Sequence, residues 1–258
     1  MSLLVADRGH AHIGTSGWYY DAWEGPFYPP DLPPTKRLDY YGARLDSAEI
    51  DSSFYHLPSV ETLERWCARV PSDFVFAAKA SRYITHMKKL NDPAESLDRL
   101  VTRMDILGER LGPILFQLPP GWHRNTERLA AFLDRLDNRH RWAFELRDPS
   151  WIDDTTLALL RRHNAAFCIY ELDGWRSPAH ITSDFVYIRL HGPGAAYQGS
   201  YDSAALGHWA RAIRAWCAKG LDVYCYFDND EAGYAVQNAL ALRERLARQA
   251  AASPAIPA

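Results

Sequence analysis

The sequence has no CxxC pair. Its four cysteines, Cys67, Cys168, Cys217 and Cys225, are scattered through apolar helical or strand-like contexts. That pattern fits buried free thiols in a reducing compartment and argues against a disulfide framework or a zinc site. No apolar run approaches a membrane span, and the first residues lack the apolar segment of a signal peptide. A cytoplasmic location without membrane contact is the expectation. There is little excess of either charge sign. The formal net charge is -3 over 258 residues, which does not suit a general polyanion binder. Also missing is a glycine-rich nucleotide turn. Gly14-Thr15-Ser16-Gly17 lacks the GxGxxG spacing and no helix pattern starts there, so a dinucleotide fold is excluded. No phosphate-loop motif and no internal repeat is found.

What is present is apolar and aromatic. Hydrophobic residues make up 47% of the chain, with nine Trp and fourteen Tyr, enough for a large core. Eight segments read as buried strands: Ala11–Ser16, Asp46–Asp51, Phe74–Lys79, Pro113–Leu118, the stretch from Trp142, Ala165–Tyr170, Phe185–Leu190 and Asp222–Phe227. Helical patterns cover 35–43, 60–69, 93–109, 126–136, 153–163, 204–219 and 232–249. Ser59 is placed to cap the second of these. Residues 81–92 read as a polar loop. The connection after the sixth strand, around Asp173-Gly174-Trp175, shows no helix pattern. Eight strand–helix units in about 250 residues are the arithmetic of an α/β fold, a single (β/α)8 TIM-barrel-like domain. The expected organisation is a lead-in at 1–10, the barrel at 11–248 and a loose tail at 249–258.

In such a barrel the strand C-termini converge on one site. The polar residues at those exits are Thr15 and Ser16, Glu49 and Asp51, Lys79, Gln117, Glu145 and Arg147, Arg189 and His191, and Asp228 with Asn229 and Asp230. Burying such groups costs several kcal/mol unless they pair or face water in a pocket. Glu145 and Arg147 share one strand face, as do Glu49 and Asp51. His191 precedes Gly192-Pro193-Gly194, a loop that lets backbone come close to a ligand. For each residue the competing reading is a salt network or core packing. Aromatics near the exits, Trp18, Tyr19, Tyr55 and Trp151 among them, are stacking platforms or plugs of the barrel top.

Several motifs together resemble the YecE-like family, known as domain of unknown function 72. They are Ile13-Gly14-Thr15-Ser16-Gly17-Trp18, Glu49-Ile50-Asp51-Ser52-Ser53-Phe54-Tyr55, Phe76-Ala77-Ala78-Lys79, Phe116-Gln117-Leu118-Pro119-Pro120, Glu145-Leu146-Arg147-Asp148-Pro149-Ser150-Trp151, Tyr187-Ile188-Arg189-Leu190-His191-Gly192 and Tyr226-Phe227-Asp228-Asn229-Asp230. They span nearly the whole chain. The resemblance implies a TIM-barrel-like fold with a polar cleft at the strand C-termini, and no established reaction. Asp51 stands where that family often has Asn, which adds a negative charge. The outline of such barrels is similar to apurinic-site endonucleases and sugar-phosphate isomerases, an analogy of fold alone.

Three functions compete. The first is an enzyme acting on a small sugar-like or phosphorylated substrate. Its catalytic candidates are Glu145, Glu49, His191 and Asp228, with Arg147, Arg189, Lys79, Gln117, Thr15, Asp51, Trp18, Tyr55 and Asn229 binding substrate. The second is a metal-assisted phosphodiesterase or phosphomonoesterase with Glu49, Glu145, His191 and Asp228 as ligands, although no strong motif calls for a divalent metal. The third is a non-catalytic module binding nucleic acid or a protein through exposed aromatics. Cofactor and oligomeric state are left open.

Overall fold

The computed structural model describes residues 9–250, and side chains through 248. The expected lead-in (all but its last two residues) and most of the expected tail lie outside the described residues. In chain order the elements are β1 (Ala11–Thr15), α1 (Arg37–Gly42), β2 (Ser47–Ile50), α2 (Val60–Cys67), β3 (Val75–Lys79), α3 (Ala94–Met104), β4 (Leu111–Leu118), α4 (Thr126–Leu133), β5 (Trp142–Leu146), α5 (Asp154–Arg162), β6 (Ala166–Leu172), β7 (Trp175–Arg176), β8 (Phe185–Leu190), α6 (Ser203–Cys217), β9 (Asp222–Phe227) and α7 (Tyr234–Ala250). Eight strands pair in parallel in the order β1-β9-β8-β6-β5-β4-β3-β2. The seam between β1 and β2 is joined by a bridge of Ser16 to Glu49, where Gly17 N donates to Glu49 O at 2.8 Å. The result is a nearly closed parallel barrel ringed by helices.

Two apolar layers hold it. The larger lies between the strands and the helices and includes Ile13, Phe76, Phe116, Phe144, Ile188 and Phe227. The smaller fills the barrel with residues of the opposite parity, among them Ala77, Leu115, Ala143, Cys168, Tyr187 and Tyr226. Alternation with period two therefore sends 77, 115, 143, 187 and 226 inward, and 79, 117, 145, 189 and 228 follow on the same face nearer the exits. The inward layers turn from apolar to charged within one step.

Local chemistry sets the element ends. Ser59, Asn125, Asp153 and Asp202 each accept a backbone N–H at the start of α2, α4, α5 and α6. After β6 no helix forms. The chain turns into the antiparallel β7, where Ser177 exchanges bonds with the Tyr170 backbone. Thr182 then donates to Ala165 O at 2.6 Å and accepts from Phe167 N at 2.7 Å. These hydroxyls accept from two β6 backbone N–H groups, those of Phe167 and Tyr170.

Two expectations are corrected. The polar loop 81–92 contains a π-helical turn, Tyr83–Met87, with Ile84 and Thr85 buried. The aromatic loop after β1 packs into the core. Trp23, Tyr28 and Tyr41 are fully buried together, and Trp18 lies edge-on to Trp66 at 4.9 Å. Trp151 is also core, donating from Nε1 to Trp122 O at 2.6 Å. Trp18 and Trp151 are thus not stacking platforms.

Candidate functional site

At the C-terminal end of the barrel the inward charges meet around one guanidinium. Arg189, on β8, is 1% exposed. Its Nε and Nη2 donate to the two oxygens of Glu49 at 3.1 and 2.7 Å. Nη1 donates to Glu145 Oε2 at 2.8 Å, and Nη2 reaches Ser16 Oγ at 3.1 Å and Asp228 Oδ2 at 3.0 Å. Glu49 further accepts from Tyr187 OH at 2.6 Å and from Ser16 Oγ at 2.7 Å. Glu145 Oε1 accepts from Gln117 Nε2 at 3.0 Å and from Arg147 Nε at 2.5 Å. The His191 Nδ1 lies 2.8 Å from Asp228 Oδ2, and its Nε2 lies 3.3 Å from Arg189 Nη1. Nε2 also lies 3.7 Å from Glu145 Oε1, so the imidazole sits between two carboxylates and the guanidinium.

The electrostatics follow from this crowding. Burial alone would push the Glu145 carboxyl up, but Arg147, Arg189 and His191 hold it well below the carboxylate range. Burial likewise opposes the Asp228 carboxylate, yet Arg189, His191 and Lys79 bring it down to about 2. Glu49, Glu145 and Asp228 pair with the guanidiniums there, and Lys79 stands at the rim outside those pairs.

The rim differs in character. Half-buried Lys79 holds its Nζ 4.4 Å from the Phe54 ring centroid. Burial and then Arg189 push its pKa down. Asp51 is pushed up by burial and by Glu49 and Asp228, and it accepts from Tyr20 OH at 3.4 Å. Asp230 is raised to about 6 by burial, Asp228 and Asp51. Arg147 Nη2 donates to Tyr197 OH at 3.2 Å. His86 is lowered to about 4 by burial and by Lys79, Arg147 and Arg82. The mouth therefore has a basic side (Lys79, Arg147) and an acidic side (Asp51, Asp228, Asp230).

Of the residues singled out from sequence, the fold brings together Glu49, Glu145, Arg189, His191, Asp228, Gln117 and Arg147, with Lys79 and Asp51 at the rim. Thr15 is not among them. It points to the helical layer, where its Oγ1 donates to Gly17 O and meets Tyr41 OH. Ser16, one step on, takes the inward place, because parity decides which face a strand residue serves. Asn229 is buried and ties β9 to the next loop through Gly199 O at 2.7 Å and Asn238 Oδ1 at 3.0 Å. Tyr55 is 64% exposed and packs edge-on against Phe54, outside the network. Ser16 and Asp230 were read as exit residues without a further role, and Tyr187 and His86 were not foreseen. Tyr187 was signalled by its place two before Arg189. No sequence signal marks His86, which arrives on the turn after β3.

Fold and centre define a TIM-barrel-like α/β protein with a charged cluster at its strand C-termini. The family model described as "Protein of unknown function DUF72" matches residues 12–258, and the chain belongs to that family. A DUF72 family protein of Thermotoga maritima MSB8 is similar at 26% identity, over 92% of this chain and 99% of that one, with a TM-score of 0.83. One of Enterococcus faecalis V583 shares the fold at 18% identity over 92% and 95%, with a TM-score of 0.77. The UPF0759 protein YecE of Escherichia coli K12 is 30% identical over 115 residues, which is 44% of this chain and 42% of that protein, so the match spans less than half of the curated relative. No described helix is long and apolar enough to cross a membrane.

Proposed function

We propose that this protein is an enzyme acting on a small, anionic, sugar-like or phosphorylated substrate at the barrel mouth. The observation that carries this reading is the split between a saturated centre and a perturbed rim. Below, Arg189 is consumed by Glu49, Glu145 and Asp228, so none of these has a free role toward substrate. Above, Lys79, Asp51 and Asp230 are half-buried at the strand C-termini and shifted from their ordinary ionisation. Perturbed groups in a polar opening are the mark of a working site.

The roles divide accordingly. Lys79 and Arg147 hold the anionic group. Asp230, raised to about 6, exchanges a proton near neutral pH, with Asp51 beside it. Glu145 and Glu49, the acid/base candidates of the sequence, act instead as positioning residues. The Glu145 carboxylate, held well below its usual range, is a poor proton carrier near neutrality, and the Glu49 oxygens are taken up by Arg189, Tyr187 and Ser16. His191 orients Asp228.

The metal-assisted reading is weaker on geometry. Glu49, Glu145, Asp228 and His191 are drawn around a guanidinium, which takes the place a cation would need. Among the described residues no group of three or more His, Cys, Asp and Glu is arranged to hold a metal ion.

The test is a panel of aldoses and aldose phosphates, screened by ligand-observed NMR and then for turnover. Binding lost in Lys79→Met, with a pH–rate inflection near 6 that disappears in Asp230→Asn, is expected. Binding indifferent to Lys79→Met, or no binding by any member, overturns the reading.

A further inference from the structure

Beside the mouth lies a groove of about 710 Å³, within the size range of small-molecule sites. One wall is the segment after β2, with Tyr55 and Leu57. The other is the π-turn and the start of α3, with Tyr83, Lys88, Asp92 and Arg99. The Arg103 guanidinium of α3 donates to Pro58 O and ties the two walls together. Phe54 joins the groove to the mouth. Its ring carries the Lys79 Nζ at 4.4 Å and meets Tyr55 edge-on at 5.0 Å.

The π-turn wall is strained. Lys89, Leu90 and Asp92 have φ of 47°, 63° and 42°, three left-handed non-glycine residues within four positions. Such backbone persists only where the surroundings hold it, and it clusters at ligand sites. Here burial of Ile84, Thr85 and Leu90 holds it. Tyr83 and Lys88 of this wall line the groove, with Lys88 Nζ 5.7 Å from the Tyr83 ring centroid.

The groove chemistry differs from that of the mouth. Lys88 and Arg99 are matched by Asp92 and Glu95, so the lining has no net charge. Tyr55 and Tyr83 line the groove and stay 64% and 44% exposed, each an aromatic ring with a hydroxyl at its edge. Aromatic faces between balanced donors and acceptors suit a neutral, hydroxylated ring rather than an anion.

We propose that the groove is a subsite for a neutral pyranose-like ring, joined to the anionic end held at Lys79 and Arg147. The substrate class is then a phosphorylated or otherwise anionic disaccharide or glycoside. This inference rests on the function proposed above.

Isothermal titration of the full chain with glucose 6-phosphate, trehalose 6-phosphate and adenosine 5′-monophosphate tests it. Trehalose 6-phosphate is expected to bind about tenfold tighter than glucose 6-phosphate. Tyr55→Ala and Tyr83→Ala should each remove most of that advantage without changing glucose 6-phosphate affinity or the melting temperature. Tyr55→Phe should keep it. Equal affinity for the two sugars overturns the subsite and leaves the proposed function standing. So does a tyrosine-dependent advantage found only with adenosine monophosphate. If no sugar phosphate binds, the proposed function falls, and the subsite with it.

Discussion

Arg189 is the residue on which the centre depends. Its neighbours were legible as exit residues, because Glu145, Arg147 and Asp228 each lie at or just past the end of a largely apolar strand. Their mutual roles were not legible, since pairing between strands far apart in sequence needs the closed barrel. Removing one partner of a buried ionic group leaves the others uncompensated, which costs about 3–5 kcal/mol. Arg189→Met is expected to lose that much at pH 7, read from the denaturant midpoint. The pH dependence has a definite sign. The Asp228 carboxyl is depressed to about 2, so its contribution is fully present above the unfolded value near 3.9 and is lost as pH falls through 2. The gap between Arg189→Met and the parent should therefore narrow as pH approaches 2. Asp230 has the opposite sign. Its folded value of about 6 lies above 3.8, so its charged form opposes folding above pH 6. Asp230→Asn is expected to stabilise by about 1 kcal/mol at pH 8, after allowance for solvent screening, and by nothing at pH 4. Thermal melts at the two pH values check this.

At the scale of elements, the strands were readable and the loops were not. Buried strands carry apolar runs with a polar exit, a local signal, and all eight expected segments form strands within about three residues of their expected ends. The π-turn at Tyr83–Met87 has no such signal, because it is held by burial of Ile84 and Leu90 against the rest of the chain. Likewise the loop 192–200 is shaped by contacts from elsewhere. Gly192 has φ of 120°, and a Cβ there would collide with the carbonyl oxygens of Gln198 and Ala195. That loop brings Tyr197 to Arg147 and to His191, whose ring centroid lies 5.3 Å away. Gly192→Ala is expected to cost about 1–3 kcal/mol in local strain. Amide exchange should speed up across 192–200 while the barrel strands stay protected.

For the whole molecule, closure of the barrel is the decisive event. It requires β1 and β2 to come together, and Gly14 lies where a Cβ would run into the Ser47 backbone. Gly14→Ala is expected to destabilise by about 3 kcal/mol or more, since a packed seam cannot take the extra atom. Loss of cooperativity in denaturant unfolding would show the seam opening. The count of eight strand segments, their apolar cores and the charge at their exits came from the sequence by itself, because period-two alternation and helix spacing are properties of neighbouring residues. The TIM-barrel-like class followed from that count. What only the tertiary structure decided is which exit residues face inward and which are used up there. Thr15 and Ser16 exchange places by one step of parity, and Glu49 and Glu145 pass from free acids to partners of Arg189. Both outcomes depend on strand register and barrel closure, which bring together groups as far apart as Ser16 and Arg189, 173 positions. Local pattern carries no information about that pairing, whereas a buried charge is stable only once its partners arrive.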